Sequence, residues 1–226
     1  MTSGKMMSDY KVFILLFLLL LSGVCTAQDN LQLQKLLSPL AETKHIKLEY
    51  EEKRSSLFFK QPQLYQGYIE YISPDTFIKQ VAAPNKKKMQ IIGDQLTLYH
   101  YSKDSSELVQ KQVISLDDYP QFKQLKALFM GLFQANISEL TRYYHYTINS
   151  LADKKTQLRL KSINSNPFTQ NKQQNTPFSQ QVDIIFNHGD ITKITMRGLG
   201  GEISELIFDK KVFKQNVLKQ NVLKKE

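Results

Sequence analysis

The chain has 226 residues, a formal net charge of +9, 13 Phe, 11 Tyr, no Trp and a single Cys. That length suits one domain with a real hydrophobic core. The basic balance admits anionic headgroups, acidic proteins or nucleic acid as partners. The cations are scattered, however, and the one compact run, Lys86-Lys87-Lys88, falls between strands and reads as a solvated turn.

Lys5 and Lys11 precede the apolar run Val12 to Leu21, and a small-residue stretch ending Cys25-Thr26-Ala27 follows. Basic, apolar and small segments in that order predict a secretory signal, residues 1–27, cleaved near Ala27. The run is shorter than the ~20 residues of a spanning helix, which weighs against an uncleaved anchor. Val24 precedes Cys25 where a lipidation signal wants a small residue, so lipidation is not expected. Cleavage leaves one domain, 28–226, with a charge of +8 after loss of Lys5, Asp9 and Lys11. The mature chain then has no disulfide, no thiol nucleophile and no Cys-based metal site. Nucleic acid is not expected as a partner in the exported compartment.

An amphipathic stretch, Leu31 to Thr43, comes first, with Leu33, Leu36, Leu37 and Leu40 at helical spacing and Pro39 placed to kink or end it. Period-2 patterning then predicts strands near 45–54, 64–72, 76–82, 87–92, 96–102 and 107–113. Asp117 or Asp118 can cap a helix running to Asn136, on which Tyr119, Phe122, Leu125, Leu128, Phe129, Leu132 and Phe133 share one broad apolar face. That helix is either a plug over an ordinary core or a movable lid over a ligand cavity. Further strands are predicted near 142–149, 156–162, 181–187, 190–197 and 202–208. Ser162 to Gln180 is polar, with Pro167 and Pro177, and reads as a long loop. The tail repeats Lys-Gln-Asn-Val-Leu at 214–218 and 219–223 and is assigned no function. About eleven short strands joined by tight turns such as Ser73-Pro74-Asp75, Gly93-Asp94 and His188-Gly189-Asp190 imply an antiparallel meander curled into an incomplete barrel with a helical lid.

Catalytic patterns are weak. His45, His100, His145 and His188 lie in or beside different strands without metal-ligand spacing. His188-Gly189-Asp190 has the form of a hairpin turn, with no G-x-S-x-G elbow. Gly198-Leu199-Gly200-Gly201 lies between strands and lacks the helix start of a phosphate cradle. Asn136-Ile137-Ser138 fits the glycosylation pattern, which matters only in a eukaryotic secretory pathway. Glu49, Glu51 and Glu52 read as a charged outer strand face rather than an acid–base pair. No enzyme activity, cofactor or metal is expected. What remains is an apolar, aromatic-rich sheet with apolar helices across it, the makings of a pocket for acyl chains.

The series Gln66-Gly67-Tyr68-Ile69-Glu70-Tyr71-Ile72-Ser73-Pro74-Asp75-Thr76-Phe77, then Pro84, then Ile91-Ile92-Gly93-Asp94-Gln95-Leu96-Thr97-Leu98-Tyr99, resembles the first strands of the periplasmic outer-membrane lipoprotein carrier LolA and its relatives. Leu125 to Phe133 resembles that family's lid, and Asp190 to Phe208 its closing strands. The resemblance implies a monomeric periplasmic carrier that shields acyl chains of lipoproteins or lipids between inner and outer membrane. It implies an inner-membrane ABC-type complex as donor and an outer-membrane acceptor. Tyr68, Ile69, Phe77, Ile91, Leu96 and Leu98 are the expected cavity walls, and Phe122, Leu125, Leu128, Phe129, Leu132 and Phe133 the expected lid. Ser73 stands where the family carries a functional Arg before the Pro, which puts the polar lid latch in question. A related sensor, or an accessory protein of a lipid or pigment export pathway, is the alternative. The sensors carry an additional C-terminal domain, which this chain is too short to include.

Overall fold

The computed structural model describes residues 24–103, 107–163, 180–208 and 213–214. The signal segment up to residue 23, most of the polar loop and the tail repeat beyond Lys214 lie outside the described residues. The chain divides into two compact units, residues 1–36 and 37–226. Helix α1 (Val24–Ala41) starts earlier than its leucine spacing suggests and keeps Pro39 within its last turn. Of its leucines in the second unit, Leu37 and Leu40 are buried.

The second unit carries strands β1 (His45–Ser55), β2 (Gln63–Ile72), β3 (Thr76–Ala83), β4 (Lys87–Ile92), β5 (Gln95–Tyr101), β6 (Leu108–Ser115), β7 (Tyr144–Ser150), β8 (Lys155–Ser162), β9 (Gln181–Asn187), β10 (Asp190–Arg197) and β11 (Ile203–Phe208). Each predicted strand lies within two residues of the observed one at both ends. The strands form one antiparallel sheet in the order β6-β5-β4-β3-β2-β1-β11-β10-β9-β8-β7, and the two-residue β12 (Phe213–Lys214) adds to β1. Among the described residues β6 and β7 have no strand on their outer sides, so the sheet is open and the protein is mainly β, as an incomplete barrel requires.

Alternation sets the two faces. On β1, Ile46, Leu48 and Tyr50 are buried while Glu49, Glu51 and Lys53 are exposed. His188 and Gly189, at φ 51° and 86°, form the two-residue link between β9 and β10, a geometry whose twist matches the flanking strands. His188 is exposed there, and the segment is a turn rather than a catalytic fragment.

Between the two edge strands the chain forms a 3-10 turn (Leu116–Asp118), helix α2 (Pro120–Phe133) and helix α3 (Ile137–Tyr143). The single helix expected from Asp117 to Asn136 is thus corrected to a 3-10 turn and α2, and α3 beyond it was not expected. Ser115, not an aspartate, caps the 3-10 turn by accepting from the Asp117 amide. Pro120 then opens α2, where its missing N–H costs nothing. Ala135, in the left-handed region at φ 50°, breaks α2 from α3, and the Asn136 side chain caps α3 by accepting from the Glu139 amide. The two helices touch closely. A β-carbon on Gly131 would stand 3.0 Å from the Leu140 β-carbon.

Gly67 is a second required glycine. A β-carbon there would sit 1.9 Å from the Gln80 carbonyl oxygen, beside a register shift between β2 and β3. The vacant space lets the Tyr50 hydroxyl cross and donate to that carbonyl at 3.2 Å. Replacement Gly67→Ala should therefore force the strands apart and lower unfolding free energy by about 3 kcal/mol, read as a lower urea midpoint.

Candidate functional site: the helix-covered face of the sheet

Helix α2 presents almost no polar surface along its second half. Leu125, Ala127, Leu128, Phe129, Met130, Leu132 and Phe133 are all buried. Rings join it to the sheet. Phe129 stacks on Phe77 of β3 with centroids 4.1 Å apart, and Phe133 stacks on Tyr71 of β2 at 5.3 Å. The face of the sheet that α2 covers is therefore the one carrying Tyr71 and Phe77.

Register places the expected wall residues. Phe77 lies opposite Ile91, and Ile91 opposite Leu96, so all three share the covered face. Leu98 follows in phase with Leu96 and is half-buried, and Ile69 precedes Tyr71 in phase and is buried. Tyr68 is the exception and a correction. It alternates with Ile69 onto the opposite face, where its hydroxyl donates to the Gln80 side chain at 2.9 Å and Lys47 lies 4.0 Å above its ring. Leu125, Leu128, Phe129, Leu132 and Phe133 are all buried, with Phe129 and Phe133 stacked on the sheet, while Phe122 is half-buried and contacts Tyr119 at the start of α2.

Three polar contacts pin the helix, and sequence reasoning anticipated none of them. The Gln124 side-chain amide donates to the Ser162 hydroxyl at 2.8 Å, both residues being buried. Lys126 pairs with Asp94 at 2.8 Å. Gln134 donates to the Pro74 carbonyl, which also accepts from the Tyr71 hydroxyl at 3.4 Å. The helix is thus latched next to Ser73, but through the backbone of Pro74 and without an arginine.

A charged group lies on the same face toward the other ends of these strands. Glu52 follows Ile46, Leu48 and Tyr50 in phase and is 1% exposed. Its carboxylate accepts from Lys79 at 2.8 Å, from Arg54 at 2.8 Å and from the Ser204 hydroxyl at 2.6 Å. Burial pushes its pKa up, but the Lys79 charge and the three hydrogen bonds outweigh burial and hold it at about 2, against 4.5 ordinarily. Burial and the neighbouring Glu52 charge both push the Tyr50 hydroxyl upward. Two cations thus face one carboxylate inside a largely apolar surface. The expectation that Glu49, Glu51 and Glu52 form one charged outer face is corrected at Glu52, which breaks the apolar phase of β1 and is buried, whereas Glu49 and Glu51 sit on the exposed face as expected.

The opposite face holds a pocket of about 560 Å³ to which Glu49, Glu51, Gln66, Tyr68 and Ile207 contribute. Farther along that face, Asp183 is bound by Arg159 at 2.7 Å and by Arg197. Among the described residues no group of three His, Cys, Asp or Glu side chains could hold a metal ion.

No family model and no curated protein matches the sequence. Solved structures do resemble the fold. A LolA superfamily protein from Nitrosomonas europaea shares 16% identity at a TM-score of 0.40, covering 81% of this chain and 94% of its own. A domain described as outer-membrane lipoprotein-sorting, from Vibrio parahaemolyticus, shares 8% at 0.39, covering 83% and 94%. A DUF1329 family protein from Desulfovibrio piger shares 8% at 0.39, covering 81% and 91%.

The buried carboxylate makes stability pH-dependent. Because the folded pKa of Glu52 is depressed, its contribution is full above about 4.5 and is lost as pH falls toward about 2. Glu52→Gln should cost about 3 kcal/mol at pH 7, and urea titrations at lower pH should show its gap from wild type closing across that window.

Proposed function

We propose that this protein is a carrier for acyl chains, exported with removal of residues 1–27 and working as a periplasmic shuttle of lipoproteins or lipids through its 28–226 domain. The observation that supports it is α2 itself, an apolar helix laid against the inner face of a sheet that does not close. Because α2 and α3 occupy the chain between the two sheet edges, α2 can leave that face without breaking a strand pair. The residues exposed by its departure are Ile69, Phe77, Ile91, Leu96 and Leu98, together with Leu125, Leu128, Phe129, Leu132 and Phe133 of the helix. Donor and acceptor are then membrane complexes of the kind the sequence resemblance implies.

Magnitudes set the cargo. Uncovering the five large α2 side chains costs up to about 10 kcal/mol. A buried methylene returns ~0.8 kcal/mol, so roughly twelve methylenes offset the opening and a chain of eight does not. Affinity is the difference between two apolar packings, which lets cargo pass to a tighter acceptor without nucleotide hydrolysis. No reacting constellation accompanies this surface, and catalysis forms no part of the proposal.

A thiol crosslink between Phe77→Cys and Phe129→Cys, in a Cys25→Ser background, tests the reading. Uptake of a fluorescent sixteen-carbon acyl probe should be blocked in the crosslinked protein and return on reduction, while an eight-carbon probe binds neither form. Equal uptake by crosslinked and reduced protein would sink the carrier with α2 as its lid.

A further inference from the structure

The hairpin between β1 and β2 ends in Ser55-Ser56-Leu57-Phe58-Phe59-Lys60, and its apolar residues point outward. Leu57 is 83% exposed and Phe58 85%, the two most exposed large apolar side chains among the described residues. The tip is a built turn. The Phe59 amide donates to the Ser56 carbonyl at 3.2 Å, and the Phe58 amide to the Ser56 hydroxyl at 3.3 Å. Ser55 lies opposite Ile203, so the β10–β11 hairpin ends beside it. There Leu199 is also exposed, and Leu57 reaches to 3.4 Å from where a Gly201 β-carbon would stand.

Charge is arranged around this tip. No carboxylate occurs between residues 53 and 62, and Lys53 and Lys60 flank the apolar residues. Register puts the turn leading into Lys86-Lys87-Lys88 at the same end of the sheet, along with Arg197, which is paired with Asp183. The β10–β11 turn beside the tip also carries Glu202, and the turns at the opposite end carry Asp75, Asp94 and Asp153 together with Lys154. The contacts of α2 with β2, β3 and the β4–β5 turn, through Tyr71, Phe77 and Asp94, are near that opposite end.

We propose that the Leu57–Phe59 tip, with Leu199 beside it, docks the protein on an anionic lipid bilayer. Two or three consecutive apolar side chains on a projecting turn suit insertion to the headgroup boundary, whereas a protein partner favours a broader, flatter surface. Lysines at the base keep their charge among the headgroups while their stems lie along the apolar layer. Lys53 and Lys60 draw the tip toward an anionic surface before contact, and salt weakens that attraction. The docking surface is distinct from the α2-covered face and holds whether or not that face takes cargo.

An environment-sensitive fluorophore on Phe58→Cys, in the Cys25→Ser full chain, reads the insertion at the site itself. Vesicles containing phosphatidylglycerol should shift its emission to the blue, and the same label on Asp153→Cys, in a turn at the other end, should not respond. Adding Lys53→Gln and Lys60→Gln should raise the lipid needed for half the shift by about thirtyfold. Pure phosphatidylcholine should give at most a weak shift. No shift at position 58 with phosphatidylglycerol, or equal shifts at 58 and 153, overturns the proposal.

Discussion

An antiparallel sheet that does not close must have its inner face covered by whatever chain spans its open side. Here that chain is α2, and the stack of Phe129 on Phe77 fixes where it lies. The rest follows from this contact. It defines which side chains of β2 to β5 are inner, it brings Gln134 to the Pro74 carbonyl, and it leaves the Glu52 end of the same strands uncovered by those rings. Burial of an apolar helix against apolar strands is strong enough to hold the arrangement and unspecific enough to be exchanged for another apolar body.

The charged group works against that background. A carboxylate taken out of water is tolerable only with its hydrogen-bonding capacity filled, and Lys79, Arg54 and Ser204 do this from three strands. The result ties β1, β3 and β11 together across the middle of the sheet. It also divides the inner face chemically, with aromatic rings toward the β2–β3 turn and ions toward the β1–β2 turn.

Much of the fold is legible in the sequence because its strands alternate cleanly. Ile46, Leu48 and Tyr50 against Glu49 and Glu51 declare both a strand and its buried side. Tight turns such as His188-Gly189 declare antiparallel neighbours. Alternation cannot say which of Tyr68 and Ile69 faces the helix, since both are apolar enough for either side, and only the position of α2 decides. The helix that follows α2, α3, was also hidden, although the end of α2 was placed near Asn136. A left-handed alanine is unusual, and nothing local in Gln134-Ala135-Asn136 demands it until Leu140 meets Gly131. Gln124 and Gln134 look like ordinary polar positions of a helix, and their partners are distant in sequence.

The contact between Gly131 and Leu140 has a mechanical consequence. With so little room between them, α2 and α3 form one paddle, hinged at its two attachments to the sheet. Motion of α2 away from Phe77 then drags α3, whose last residue adjoins the first of β7. The free edge of the sheet is the member that would feel the load, so the seating of α2 and the order of β7 are coupled through a lever of two short helices.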